Sequence, residues 1–427
     1  MSLTFLWVFL VVMALGTPIV FALAIGPIVG FLADGRESFL VIVPQRLFVG
    51  INVYPLLAIP LFILAGELMN VGGITQRLVD FSQRLVGHMR GGLGHVVIVS
   101  ATIFSGISGS AVADASALGK ILIPSMTREG YHASYAAAVT AAATVLGPII
   151  PPSIIMVIYA YIMQINVAAL FAAGCIPGLL IGIGLMLANR WIATRRGYPV
   201  TEKRATLAEM GTAFRGAVWA LIAPFLILGG ILGGVFTPTE AAAAAVLYAA
   251  IVSLVVTREL PLAEIPNILY RTGVISAALL LVVGTAMIFS WVASLSGFTG
   301  RLGTFLFGIT KDPYLLLFII NILLFIAGMF LDAGPAILIL GPILGPTLAS
   351  LGVDPLHFAI VMCVNLSLGL ATPPMGLLLF VVSAMSRVPV LQIAREMGPF
   401  YAVHIAIIFL ITYVPAVALW LPRALGF

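Results

Sequence analysis

The chain has 427 residues, 62% of them hydrophobic and only 8% charged, with a mean hydropathy of +1.21 and a formal net charge of +5. Soluble domains carry about 25% charged residues, so a water-soluble globular protein is excluded and a polytopic membrane protein is implied. The positive charge does not call for nucleic acid, because Lys and Arg gather in the connections between apolar stretches, where cytoplasmic loops carry them.

In chain order, residues 3–32 are apolar, with no Lys or Arg before Arg36, and run on past the length of a secretory signal, so they are expected to be retained. Gly16-Thr17-Pro18 leaves open one long tilted helix or two short ones. Residues 37–49 and 76–90, the latter with Arg77, Arg84 and Arg90 on an amphipathic pattern, are expected to lie on the membrane surface. Glu67, inside apolar 61–69, is a candidate buried ligand or a member of an interhelical hydrogen-bond network.

Residues 93–126 are interrupted by Ser105-Gly106-Ile107-Ser108-Gly109-Ser110 and have cytoplasmic-type charges at both ends. This reads as a re-entrant helical hairpin whose tip reaches the membrane interior. The next apolar stretch, 134–163, contains Leu146-Gly147-Pro148-Ile149-Ile150-Pro151-Pro152-Ser153. Each proline removes a backbone donor and clashes with the preceding turn, so the helix breaks. Freed backbone groups at that depth are tolerated only beside a buried polar or water-filled site. Residues 167–188 then cross to the basic connection 190–215, which holds Arg195, Arg196, Lys203 and Arg204 and is expected in the cytoplasm. Crossings follow at 217–236, 239–256 and 275–295; Glu240, after Pro238 and Thr239, reads as part of a helix start. Residues 314–351 form a second hairpin, interrupted at 328–335, and Leu368-Gly369-Leu370-Ala371-Thr372-Pro373-Pro374-Met375 a second break.

The halves are related. At a fixed offset of 222, Gly106, Gly119, Pro124, Gly130, Gly147, Pro151 and Pro152 fall on Gly328, Gly341, Pro346, Gly352, Gly369, Pro373 and Pro374. With 43 glycines and 26 prolines in the chain, fewer than one such match is expected by accident across residues 106–152. Five crossings separate the hairpins, and an odd number inverts the second copy, the arrangement of inverted-repeat secondary transporters.

At each break, helix ends point into the protein, and a helix C-terminus carries about half a negative charge. A hard cation such as sodium prefers oxygen ligands. The carbonyls of Gly147 and Ile150 with the hydroxyls of Ser108 and Ser110 are one candidate set; Gly369, Thr372 and Met375 with Gly328 are the other. Asp114 and Asp332, beside the hairpin tips, are functional candidates because ionisable groups at that depth are costly, or else N-caps of the hairpin helices. The five histidines lack metal-binding spacing and are expected at interfaces or in loops; Cys175 and Cys363 form no CxxC and are expected to pack. GxxxxGK[ST] is absent, so the chain is not expected to hydrolyse nucleotide.

The Gly106 to Gly109 tip, the Gly147 to Ser153 run, Phe236-Thr237-Pro238-Thr239-Glu240-Ala241 and Ala371-Thr372-Pro373-Pro374-Met375-Gly376 resemble the large membrane subunit of tripartite ATP-independent periplasmic (TRAP) transporters over essentially the whole chain. The resemblance implies an all-α, inverted-repeat elevator transporter in the bacterial inner membrane, not an enzyme, taking up an organic acid such as a C4-dicarboxylate or sialic acid with sodium. It implies two or more sodium sites, with Ser105 and Asp332 joining the candidate ligands above. The substrate position between them would be bounded by Ser108, Ser110, Asp114, Pro151, Pro152, Pro373 and Pro374. The implied partners are a separate four-helix small membrane subunit, since 427 residues leave no room for a fused one, and a periplasmic substrate-binding protein. The domain division expected is 1–90 scaffold and arm helices; 91–190 the first transport repeat, with hairpin 91–128 and broken helix 131–165; 191–311 cytoplasmic loop and scaffold; 312–390 the second repeat, with hairpin 312–351 and broken helix 354–386; and 391–427 a C-terminal helix. A binding-protein-independent sodium/dicarboxylate carrier shares the hairpins and inverted repeats. An intramembrane aspartyl protease built on Asp114 and Asp332 lacks its GxGD pattern.

Overall fold

A computed structural model describes residues 2–200 and 204–427, so Lys203 of the basic connection lies outside the described residues. These residues form helices and connections, with no strand among them. Residues 3–32 resolve into two helices, α1 (Thr4–Ala14) and α2 (Ile19–Ala33). They are separated at Gly16, whose φ of +84° is left-handed and favours glycine. The two close tightly because a Cβ at Gly26 or Gly30 would stand 2.7 Å from Phe5, the use membrane helices make of small residues four apart.

A 3-10 turn (Glu37–Val41) leads into α3 (Ile42–Ile51), then α4 (Ala58–Val71) and α5 (Ile74–Val86). The first hairpin is α6 (Gly92–Ser108) and α7 (Ala111–Arg128); the first broken helix is α8 (Ala133–Thr144) and α9 (Ile154–Met163). Then come α10 (Val167–Arg196), α11 (Leu207–Leu232), α12 (Pro238–Ile251) with a π turn over Val252–Val256, and α13 (Ile265–Leu295). After α14 (Phe298–Ile309) the plan repeats: α15 (Pro313–Phe330) and α16 (Ala333–Ala349) are the second hairpin, α17 (Pro355–Gly369) and α18 (Leu377–Ser386) the second broken helix. The chain after residue 390 is not one helix. It forms α19 (Val390–Glu396), α20 (Gly398–Tyr413) and α21 (Ala416–Ala424), with a bend of 63° between α20 and α21 beside Pro415. Among the described residues, six helices are long and apolar enough to cross a membrane, or eight if two bent pairs count as single spans.

The amphipathic stretch expected over 76–90 forms α5, which turns Ile74, Leu78, Val79 and Val86 inward and packs on α11. The fixed offset extends well beyond the glycines and prolines. Adding 222 carries Ile74–Val86 onto 296–308, the place of Phe298–Ile309, and Ile154–Met163 onto 376–385, the place of Leu377–Ser386. Residues 298–309, which fall inside the expected scaffold stretch 191–311, are thus the counterpart of α5.

The repeats interlock by exchange. α7 packs against α18, and its counterpart α16 packs against α9, the counterpart of α18. The same residue pairs meet twice: a Cβ on Gly119 would lie 2.6 Å from Met385 Cε, while one on Gly341 would lie 3.8 Å from Met163 Sδ. Gly119 maps to Gly341 and Met163 to Met385 under the one offset. The second arm of each hairpin is therefore gripped by the broken helix of the other half.

Candidate functional site

The first hairpin turns at Gly109, which has a left-handed φ of +63°, and Ser110 caps α7 by accepting from the Ala113 amide. This tip rests on the first break. A Cβ added to Gly147 would lie 2.8 Å from the Ala111 amide nitrogen and 2.8 Å from Asp114 Oδ2, and one added to Gly109 would lie 2.5 Å from the Pro152 carbonyl oxygen. The side of Gly106 meets Pro224 of α11. Ser105, Ser108 and Gly147 are therefore brought together around Asp114, which is fully buried. The Ser108 hydroxyl donates to Asp114 Oδ1, and the Ser105 hydroxyl lies 3.0 Å from Asp114 Oδ2 and 2.7 Å from the Ala101 carbonyl. A hydroxyl that gives its hydrogen to a carboxylate presents its lone pairs to whatever else approaches. The C-termini of α6 and α8 converge here, a negative environment suited to a cation.

Ile150 turns its side chain toward α10, against Gly178, while its amide bonds the Leu146 carbonyl at 2.8 Å. The peptide bonds Pro151–Pro152 and Pro373–Pro374 are both cis. Within the first break, Ser153 donates to the Pro148 carbonyl at 2.6 Å and caps α9. That residue carried no role in the sequence pattern, although a serine directly after the prolines and before an apolar run is an N-cap signal.

The second half has the same backbone plan and different side chains. Gly328 and Gly369 meet main chain to main chain: a Cβ on Gly369 would overlap Gly328, with the Gly328 oxygen 2.6 Å away. Thr372 is buried and its hydroxyl donates to the Leu368 carbonyl at 2.9 Å. Asp332 caps α16, accepting from the Ala333 amide at 2.7 Å, so of the two readings offered for both aspartates the cap is seen at this one; at the first tip Ser110 is the cap. Met375 and Phe330 are exposed, at 55% and 52%. One turn below the glycine pair, buried Asn365 donates to Asn321 Oδ1 at 2.8 Å, and Asn321 donates to Thr412 at 3.1 Å. This link between α15, α17 and α20 was visible in sequence only as isolated asparagines in apolar helices.

Between the two tips lies a small, partly open cavity of about 70 Å³ lined by symmetry mates: Ser110 with Asp332, Ala111 with Ala333, Pro148 with Leu370. The N-termini of α7 and α16 both open into it, and positive helix ends favour an anion. Ligand pockets run to a few hundred Å³, so this cavity has room for a few waters and is smaller than a ligand pocket. An adjoining open pocket of about 250 Å³ shares Asp332 and Leu370 with it, which makes these two residues the partition. Pro151, Pro152, Pro373 and Pro374 do not line the small cavity.

The remaining candidates are structural. Glu240 completes a capping box with Thr237 at the start of α12, and Glu67 lies 4.0 Å from Arg271. His95, His357 and His404 are buried rather than at interfaces or in loops. Two of them pair with main-chain carbonyls, His357 with Ile411 at 2.8 Å and His404 with Ala142 at 3.2 Å, the way a neutral imidazole is accommodated in an apolar interior. Among the described residues no group of three or more His, Cys, Asp or Glu could hold a metal ion.

Two interlocked hairpin-and-broken-helix repeats, with main-chain ends turned inward rather than toward lipid, define a polytopic membrane permease and not an enzyme. The chain belongs to the tripartite ATP-independent periplasmic transporter family, DctM component, whose family model matches residues 6–417. It is 40% identical over 381 residues to the C4-dicarboxylate TRAP transporter large permease protein of Pseudomonas aeruginosa, covering 89% of each chain. It is 38% identical over 408 residues to the sialic acid TRAP transporter large permease protein of Vibrio cholerae, covering 96% of this chain and 95% of that one. The solved YdaH transporter of Alcanivorax borkumensis shares the fold, with a TM-score of 0.65 at 15% identity, over 92% of this chain and 90% of that one. The protein is accordingly a multi-pass protein of the inner membrane.

Proposed function

We propose that the chain carries an organic acid anion inward together with sodium, receiving it from a periplasmic binding protein and working beside a separate four-helix small membrane subunit. The observation that carries this reading is the pair of tip-on-break contacts, Gly147 under Ser110 and Asp114, and Gly369 under Gly328. Each gathers main-chain oxygens and helix C-termini without a buried basic group, an arrangement suited to a desolvated hard monovalent cation. The first ion would be held by Ser105, Ser108, Ser110, Gly147 and Ile150, the second by Gly328, Gly369, Thr372 and Met375. The carboxylate would sit between them at the N-termini of α7 and α16, where relatives named for C4-dicarboxylate and sialic acid have an acid group in common to offer. Binding at both breaks would draw the tips onto them and let the hairpins and broken helices move as one body against the scaffold, the elevator motion. The test is uptake into proteoliposomes that hold this chain and its small subunit, with the loaded binding protein outside. Uptake is expected only with an inward sodium gradient; full uptake in sodium-free buffer, driven by protons, would overturn the reading.

A further inference from the structure

One helix outside both hairpins reaches both breaks. α20 carries Tyr401 and His404, three residues apart and so on one face of the helix. The Tyr401 hydroxyl donates to the Ala371 carbonyl at 2.6 Å, inside the second break and next to Thr372. His404, fully buried, sets its Nε2 3.2 Å from the Ala142 carbonyl, in the last turn of α8 as it enters the first break. A carbonyl only accepts, so Nε2 carries the hydrogen and donates it. Ala142 belongs to the last four carbonyls of its helix, which have no amide partner within it.

The repeat shows that these bonds are specific to one half. The offset of 222 carries Tyr401 and His404 back onto Leu179 and Gly182 of α10, neither of which has a polar side chain. In the first break, Ser153 supplies a hydroxyl to the Pro148 carbonyl from within the break itself. Its counterpart Met375 has no hydrogen to donate. Beside the hydroxyl of Thr372, which bonds the Leu368 carbonyl, the second break receives one from α20, and the same face of α20 holds the end of α8. α20 packs against both α17 and α8.

We propose that Tyr401 and His404 are positioning residues that join the two breaks through α20, so that a cation ordering one break prepares the other. This rests on the two sodium sites proposed above. Coupling of this kind is a free energy shared between sites, and it is measured by a double-mutant cycle rather than read from proximity.

The experiment measures the sodium dependence of uptake in the complete reconstituted system for the wild type, Tyr401→Phe, His404→Leu, His404→Gln and the Tyr401→Phe/His404→Leu double variant, normalised to inserted protein. The wild type is expected to respond cooperatively. Tyr401→Phe keeps the ring and removes one hydroxyl, and is expected to lower the Hill coefficient toward one and raise half-saturating sodium about fivefold, the size of one neutral hydrogen bond, with the saturating rate kept. His404→Leu should act alike, and His404→Gln, which retains an N–H donor, should restore part of the loss. The double variant should be no worse than either single one, because a strut cut at one end is already cut. Additive losses with a wild-type Hill coefficient would overturn the coupling, as would a lower saturating rate with unchanged sodium dependence. Hydrogen exchange on the purified protein gives a readout free of transport. The amides of Leu146 and Gly147 in the first break should exchange faster in Tyr401→Phe, although Tyr401 bonds only the second; unchanged exchange there would also overturn the proposal. Sodium-independent uptake by the wild type would fail the sodium reading itself, and is read from that arm alone.

Discussion

The two breaks share a backbone and differ in nearly everything attached to it. At the first, Ser105, Ser108 and Asp114 fill the space beside Gly147, the run from Leu146 to Ser153 is almost entirely buried, and Ser153 satisfies a freed carbonyl locally. At the second, the counterparts of those three residues are Ala327, Phe330 and Ala336, the glycines touch main chain to main chain, and Pro374 and Met375 are exposed. A duplicated fold has thus kept the geometry that turns helix ends inward while letting side-chain chemistry diverge. The first break offers hydroxyls gathered by a carboxylate; the second offers carbonyls, the hydroxyl of Thr372 and that of Tyr401 reaching in from α20.

The contrast breaks most completely if the glycines go. Gly147→Leu and Gly369→Leu each place a side chain where a Cβ alone would already overlap the opposing tip, and uptake is expected to vanish at every sodium concentration while the protein still inserts. Gly273→Leu, in open space on α13, is the control and should transport normally. Uptake by either break variant at the wild-type rate and sodium affinity would mean that the breaks are only kinks.

A smaller effect separates the two sites. Asp114→Asn replaces one accepting oxygen with a donor, so one of the two serines loses its partner and turns. Hydrogen bonds to charged groups contribute about 1.5–3 kcal/mol, and half-saturating sodium should rise by roughly tenfold or more. Placing an aspartate at the counterpart, Ala336→Asp, should not improve sodium affinity, because no serine stands opposite it. The measurement is the sodium titration of uptake for both variants, and equal titration curves for Asp114→Asn and wild type would remove the carboxylate from the site.

The smallest change is expected from Thr372→Ala. It removes one hydroxyl that donates to Leu368 and leaves the carbonyls of the second break in place. Half-saturating sodium should rise about twofold to fivefold, as for one neutral hydrogen bond, with the saturating rate unchanged. A loss as deep as that of Gly369→Leu would show that the second site, too, is built from side chains.

Much of this was legible before any fold. The apolar spans follow from composition, the breaks from proline's missing hydrogen and ring, and the repeat from glycines and prolines recurring at one spacing; all are properties of the chain read locally or against itself. The helix starts at Asp332 and beside Glu240 also followed from residue type, because a cap is made by neighbours in sequence, whereas at the first tip residue type offered Asp114 and the cap is Ser110. Only the tertiary structure decided which aspartate caps a helix and which gathers two serines, that residues 298–309 form a separate short helix, and that the C-terminal stretch bends into three helices. It alone brought Tyr401 and His404 to two breaks that lie 30 and 262 residues away along the chain. The physical reason is the same in each case. An apolar sequence fixes where a helix enters and leaves the bilayer, but one apolar face packs nearly as well as another. Which buried donor finds which freed carbonyl is settled only when the helices close on each other.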